Sequence, residues 1–242
     1  KTPAGEVKER KIPAGEIILH KRGREYNARV DRGSKEIMDV VRKVKDIEDV
    51  TGTKGTNVGG MLEKVRKQMA DLTEQDYNTV FIKDIMAVDT IVPKEVQGNL
   101  AKEFSMEKAV GIAAMVKTEK LHMRRLADAV SEKLGVEVEI GGVEGSMAVR
   151  GALTTPGTEK PILVLDIGAG STDACLLNAK NESRPVHLAG AGHMVTMLIN
   201  AELGLDHVKL AEDIKKYPLA KVESLYHIRH EDGSVQFFEE AI

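Results

Sequence analysis

Residues 161 to 178, Pro-Ile-Leu-Val-Leu-Asp-Ile-Gly-Ala-Gly-Ser-Thr-Asp-Ala-Cys-Leu-Leu-Asn, constrain this chain more than any other stretch. The apolar run Ile162 to Leu165 predicts a strand buried on both faces. It ends on Asp166, and Gly168-Ala-Gly-Ser-Thr-Asp173 follows. Apolar character then resumes over Ala174 to Leu177, too short and too β-prone to open a helix. The unit therefore reads as strand, glycine turn, strand. Glycines at 168 and 170 permit positive φ and leave no Cβ between backbone amides and a ligand. Asp166 and Asp173, at the mouth of the turn, suit a hydrated divalent cation. Amides for oxygens and a metal for charge are what a nucleoside triphosphate requires.

The bare pattern is equally consistent with an ordinary tight hairpin whose glycines serve turn geometry alone. No G-x-x-x-x-G-K-[ST] loop occurs in the chain. A dinucleotide fingerprint needs a helix after its glycines, whereas this turn leads into a strand. Val186-His-Leu-Ala-Gly-Ala-Gly-His-Met-Val195 does lead into a helix, but it lacks the third glycine, and Asp206 comes too early to read a ribose.

The 242 residues can bury a substantial core in one large domain or two lobes. Basic and acidic residues number 35 and 38, and the net charge of −3 speaks against a nucleic-acid surface. With no Trp and 3% aromatics, base-stacking platforms are not expected either. One cysteine, Cys175, allows no internal disulfide and fits a small core residue in a reducing compartment. No apolar run approaches the roughly 18 residues of a membrane span, so a soluble protein is expected. The first residues, Lys-Thr-Pro, and a predicted helix over Phe237 to Ile242 suggest a piece of a longer protein.

Along the chain, alternation around Gly5, Gly15 and Gly23 predicts antiparallel strands over Glu16 to His20 and Glu25 to Val30. Ser34 is placed to cap a helix bearing Ile37, Val40, Val41 and Val44. A loop over Thr51 to Asn57 precedes a helix marked by Met61, Leu62, Val65 and Met69. Thr79 to Val92 is β-rich, with Asp84 and Asp89 as strand-end or interface groups. Met106 to Leu134 reads as a long helical region closed by Gly135, its methionines filling core, with His122 on a solvated basic turn. A strand over Val136 to Ile140 and a turn bearing Glu144 then lead into another helix. Glu144 suits compensation of helix N-terminal charge, or orientation of a metal-bound water.

Beyond the hairpin, a helix over Met194 to Leu203 is ended by Gly204, and Asp206 is placed to cap Val208 to Tyr217, which Pro218 stops. Glu212, Lys215 and Lys216 share one face of that helix, as a solvent-facing ion-pair patch or as an acid and two cations beside a nucleoside. Val222 to Phe238 reads as a hairpin turning at Glu231 to Ser234. Its His227 and His230 have no further ligand at zinc spacing.

Three of these features resemble the actin and heat-shock chaperone ATPase superfamily, and they occur in the same order. Val164-Leu-Asp-Ile-Gly-Ala-Gly-Ser-Thr-Asp173 is similar to its second phosphate loop, and the Glu144 turn resembles the segment carrying a catalytic-side glutamate. Leu210-Ala-Glu-Asp-Ile-Lys-Lys216 resembles its adenosine-contacting helix. The whole chain further resembles the large subunit of diol and glycerol dehydratase reactivases. The strings that carry this are Ile12-Pro-Ala-Gly15, Gly59-Gly-Met-Leu-Glu63, Ala87-Val-Asp-Thr90, Val96-Gln-Gly98, Gly111-Ile-Ala-Ala-Met-Val-Lys117, Gly151-Ala-Leu-Thr-Thr-Pro-Gly157 and Ile214 to Leu225.

The resemblance implies an α/β, actin-like (ribonuclease H-like) ATPase fold of mixed sheets and flanking helices. Residues 1–155 would be the remainder of a first lobe with a family-specific insert, and 156–242 the start of a second lobe. It implies a chaperone-like, ATP-dependent release of damaged cobalamin from adenosylcobalamin-dependent diol or glycerol dehydratase. Glu144 and Asp166 would be catalytic, and Asp166 and Asp173 would face Mg2+. Gly168, Ala169, Gly170, Ser171 and Thr172 would face the phosphates of ATP or ADP. Leu210, Ala211, Glu212, Asp213, Lys215 and Lys216 would lie beside the nucleoside. The implied partners are the small reactivase subunit and the dehydratase, in a hetero-oligomer without nucleic acid or membrane, in the cytoplasm or at a bacterial microcompartment. The first phosphate hairpin, the swivelling domain and a later adenosine motif are missing from the pattern, so weak nucleotide affinity and no useful ATPase turnover are expected of residues 1–242 alone. The competing reading is a nucleotide-independent module that docks dehydratase or the small subunit.

Overall fold

The computed structural model describes residues 11–96, 103–117 and 121–242, with backbone alone for 121 and 122. The expectations placed on Gly5, Gly98 and the His122 side chain lie outside these residues. The chain is mixed α/β and forms two compact units, one of residues up to Asp89 with Ala109–Gly192, the other of Thr90–Lys108 with His193–Ile242.

In the first unit, β1 (Glu16–Lys21) and β2 (Arg24–Arg29) pair through Arg22 and Gly23, both at positive φ. Two such residues make a two-residue turn whose twist matches the strands. Strand β3 (Asp49–Gly52) adds on the other side of β1, so Thr51 and Gly52, expected in a loop, belong to a strand. Ile17 and Leu19 face inward opposite Ala28 and Val50, and all four are essentially inaccessible.

Helix α1 (Ser34–Val44) lays Ile37 and Val44 on this sheet. Its first residue is Ser34 itself, with Gly33 at the cap position and no side-chain cap. The Ser34 amide, first of the helix, donates to Asp89 Oδ1 at 2.7 Å, so a distant carboxylate satisfies one of the amides left open at the helix start. Helix α2 (Asn57–Thr73) is capped by Thr56 Oγ1, which accepts from the Gly59 amide at 3.2 Å. Its buried face runs through Val58, Leu62, Arg66, Ala70 and Thr73, while Met61 and Val65 pack at its edge.

The largest departure from the sequence reading lies at residues 104–117. These are not helical but form β5 (Phe104–Lys117), paired with β4 (Phe81–Glu95). Ala, Met, Glu and Lys favour helices, yet Val110, Ile112, Ala114 and Val116 recur at every second residue and pack on the core with Ile82, Ile85 and Ala87. Period two prevailed over composition because β4 supplies the backbone partner. Helix α3 (Leu121–Leu134) ends at Gly135, whose φ is 64° and whose amide reaches Ser131 O at 2.9 Å. Residues 136–140 are not a strand: no described strand pairs with them, and Val136 and Ile140 are exposed.

Helix α4 (Glu144–Ala152) packs on a three-stranded antiparallel sheet ordered β6 (Ile162–Ile167), β7 (Ser171–Leu177), β8 (Ser183–Ala189). Val149, Cys175 and Leu177 form the centre of this second core, with Leu153, Ile162 and Val164 around them. Strand β6 is covered on this face alone. Leu163, Leu165 and Ile167 on the other face are exposed, so burial on both faces does not hold for the described chain.

The second unit contains α5 from His193 (the helix spans Gly192–Leu203), α6 (Val208–Lys216), the tips of β4 and β5, and a meander of β9 (Ala220–Ser224), β10 (His227–His230) and β11 (Val235–Phe237). Thr90 Oγ1 donates to Glu202 Oε1 at 2.9 Å. The cap position of α6 is His207 rather than Asp206, and no side chain caps it. The tail has three strands where one hairpin was expected, and residues 238–242 form no helix.

Candidate functional site

Strand β6 ends at Ile167 and β7 begins at Ser171, with the Gly168 amide donating to Ser171 O at 3.1 Å across the turn. Neither Gly168 nor Gly170 lies at positive φ, contrary to the sequence expectation. A Cβ added at Gly170 would meet nothing within 4 Å. Neither backbone conformation nor a protein neighbour therefore demands a glycine at 170. The turn is held from behind: Gly190 and Gly192 amides donate to Gly170 O and Gly168 O, each at 3.1 Å, and Thr172 Oγ1 donates to Gly190 O at 2.9 Å. Asp84 Oδ2 accepts from the Ala189 amide at 3.0 Å, fixing the end of β8. The amides of Ala169 and Gly170 donate to no acceptor among the described residues. The Thr172 hydroxyl, expected toward phosphate, is committed to a backbone carbonyl.

Register brings the acids together. Asp166 opposes Asp173 on β7, and Asp173 opposes His187 on β8, so the three side chains form one row on the face that α4 covers. Directly opposed residues on antiparallel neighbours have Cβ atoms roughly 5 Å apart, and like charges there repel. Asp166 is exposed. The Asp173 side chain is 5% exposed and its Oδ1 meets His187 Nδ1 at 2.7 Å. A carboxylate accepts, so Nδ1 carries the proton. Helix α4 comes down at this row, where a Cβ on Gly145 would lie 3.7 Å from Asp173 Oδ1. Glu144, the preceding residue, opens the helix and is exposed. The structure thus gathers Glu144, Asp166 and Asp173 at one end of one sheet.

Sequence reasoning missed His187 because it missed β8. Pro185 lies within that strand, which is tolerated because β8 is the edge of the β6-β7-β8 sheet. Counting the β7–β8 register back from the Asn178-to-Glu182 turn would have paired His187 with Asp173.

In the second unit, Glu212 is the hub of a compact network. Its Oε2 accepts from Lys215 Nζ at 2.7 Å and from Thr196 Oγ1 at 2.5 Å, and its Oε1 meets Lys216 Nζ at 2.9 Å. Lys215 also donates to Thr196 Oγ1 at 2.8 Å. Hydrogen bonds from Lys215, then Thr196, then Lys216 pull the Glu212 pKa down to about 2. Thr196 is 1% exposed and had not been singled out in the sequence. Ala211 is fully buried and turns its methyl into the fold, whereas Leu210 is exposed and Asp213 half-buried.

Among the described residues no three His, Cys, Asp or Glu side chains converge as a metal centre. Mg2+ needs less, since it keeps waters and takes one or two carboxylates with substrate phosphates. His227 Nδ1 is bonded to Ser224 Oγ at 2.6 Å. No described helix is long and apolar enough to cross a membrane.

Against known proteins, the family model "Diol dehydratase reactivase ATPase-like domain" matches residues 28–242. The chain is 56% identical over 238 residues to the propanediol dehydratase-reactivating factor large subunits of Citrobacter freundii and Salmonella typhimurium, and to the diol dehydratase-reactivating factor large subunit of Klebsiella michiganensis. In each case 98% of this chain aligns with 39% of the relative, so the chain spans about two-fifths of their length. Two solved structures superimpose over the whole chain and 40% of their own, each with a TM-score of 0.85: a glycerol dehydratase reactivase at 52% identity and a diol dehydratase-reactivating factor in nucleotide-free form at 55%. With its strand-turn-strand loop, its paired aspartates and a match over nearly its full length, this chain belongs to the diol dehydratase reactivase ATPase-like domain family.

Proposed function

We propose that this chain contributes one wall of a nucleotide site to the large subunit of a diol or glycerol dehydratase reactivase. In this reading the full-length protein uses ATP hydrolysis to release damaged cobalamin from its dehydratase, in a hetero-oligomer with a small subunit, in the cytoplasm or at a microcompartment. The fold would be actin-like, with residues 1–155 completing a first lobe and 156–242 opening a second. The observation that carries the proposal is the turn over 168–171. It offers two unbonded amides, at Ala169 and Gly170, beside a register-paired Asp166 and Asp173. Amides of this kind suit phosphate oxygens.

The residues divide the work by position. Ala169 and Gly170 amides would hold phosphate oxygens, and Gly170 would leave room for their approach. Asp166, exposed, would hold Mg2+ directly or through its waters, with Asp173 behind it adding charge. Glu144 would orient a water. Glu212, held by Thr196 and Lys215, would present its remaining acceptor capacity to ribose hydroxyls, with Lys216 nearby. Bound ATP with Mg2+ would supply a hydrolysable phosphoanhydride, and the change from ATP to ADP would bias a two-state machine.

Asp166→Ala in the full-length large subunit tests this reading. Lost reactivation with intact assembly on dehydratase and small subunit is the expected result. Unchanged reactivation would overturn it in favour of a nucleotide-independent docking module.

A further inference from the structure

Asp173 is closed off on two sides. The α4 backbone at Gly145 covers it from above, and His187 engages its Oδ1 at 2.7 Å. A carboxylate on a free side chain rotates about χ2. Here one oxygen is bonded through a ring whose strand is itself pinned, since the Ala189 amide, two residues beyond His187, is bonded to Asp84. The restraint runs from Asp84 through β8 and the imidazole to Asp173.

Burial does not explain the imidazole at His187. Its side chain remains 47% exposed, so core packing does not require an imidazole here. Its other ring nitrogen, Nε2, has no hydrogen-bond partner among the described residues. What the position supplies to the protein is one directed donor, aimed at a carboxylate that is otherwise almost inaccessible.

We infer that His187 is a positioning residue for the metal–nucleotide site. By donating Nδ1–H to Asp173 Oδ1, it fixes that carboxylate so that Oδ2 is presented beside Asp166. This rests on the nucleotide site proposed above. Outer partners of this sort orient metal-facing carboxylates, and their loss typically costs 10–100-fold in metal affinity.

The test uses the full-length large subunit and calorimetric titration with ADP, once with Mg2+ and once with EDTA. His187→Asn keeps an amide donor near the Nδ1 position. His187→Gln moves its donor outward by one methylene, and His187→Phe keeps the ring and removes the donor. Phe and Gln variants are expected to lose about tenfold or more in Mg2+–ADP affinity, with metal-free ADP affinity unchanged. The Asn variant is expected to stay within about threefold of wild type, below the loss that an outer partner's removal causes. Wild-type behaviour of the Phe variant, or an Asn variant as weak as the Phe one, would overturn the inference. So would equal weakening with and without metal, which marks a merely structural role. Should the Phe variant not fold, the Asn and Gln pair alone decides. Wild-type protein that binds no Mg2+–ADP would remove both this inference and the nucleotide site it rests on, whereas unaltered binding in all three variants removes this inference alone.

Discussion

Arg66 Nη2 donates to both carboxylate oxygens of Asp49, at 2.8 and 2.9 Å, joining helix α2 to strand β3 inside the first unit. The guanidinium also donates to Val80 O at 2.6 Å and Val50 O at 3.2 Å, and Asp49 Oδ1 accepts from the Ile82 amide at 3.0 Å. One charged pair thus satisfies backbone groups on β3 and β4 and on Val80, the residue that leads into β4. The Arg66 side chain is 9% exposed. Removing Asp49 would leave a buried cation without its counter-charge, a change that typically destabilises by several kcal/mol. Asp49→Ala is expected to lower stability by about 3 kcal/mol, seen as a lower urea midpoint with an unchanged slope.

Neighbouring glycines at the start of α2 should respond oppositely to alanine. A Cβ on Gly59 would lie 2.1 Å from Thr53 O, whereas one on Gly60 would meet nothing within 4 Å. Gly59→Ala therefore forces backbone apart and should cost about 1–3 kcal/mol. Gly60→Ala removes unfolded-state freedom from an open helical position and should stabilise by about 0.4–1 kcal/mol. Thermal unfolding of the two variants beside wild type reads the contrast directly, and equal shifts would contradict the close approach of α2 to the loop after β3.

Acid should loosen the contact between α5 and α6. The Glu212 pKa is about 2 against an ordinary 4.5, chiefly through its hydrogen bond from Lys215. A depressed carboxylate contributes stability that is fully present above the unfolded value and is lost as pH falls through the folded one. The contribution should thus decline between about pH 4.5 and pH 2. With the Glu212 side chain 31% exposed, solvent screens the effect, which should shrink further in high salt. Glu212→Gln should be less stable than wild type at neutral pH, and the gap should narrow across that window in pH-resolved unfolding curves.

Gly170 separates folding from ligand approach. Since a Cβ there meets no protein atom and φ is not positive, Gly170→Ala should not destabilise the fold and should stabilise it by up to about 1 kcal/mol, as at Gly60. In the full-length large subunit it should nonetheless weaken nucleotide binding at least about tenfold, or 1.4 kcal/mol, by crowding the phosphates. Wild-type affinity in the variant would show that the turn does not approach a ligand.

Much of this protein was legible because its signals are local. Glycines at positive φ at 23, 135 and 204 and the apolar faces of α1 and α2 stand where turn chemistry and helical spacing put them. Signals that depend on a distant partner were misread. Ser34 stands inside α1 as its first residue rather than as its cap, and its amide donates to Asp89, 55 residues away. Residues 106–117 read as part of a long helix, although alternate positions 110, 112, 114 and 116 carry the strand period.

Sequence alone determined the strand, glycine turn, strand unit and the two acids that bracket it, because turn geometry and β character are properties of adjacent residues. It also determined that Glu212, Lys215 and Lys216 share a helix face, since that follows from 3.6 residues per turn. Tertiary structure decided which groups those acids meet. Register across β6, β7 and β8 set Asp166 opposite Asp173 and Asp173 opposite His187, and packing between helices placed Thr196 beneath Glu212. Such pairings join residues up to 16 positions apart, through strand register and helix packing that no local pattern encodes.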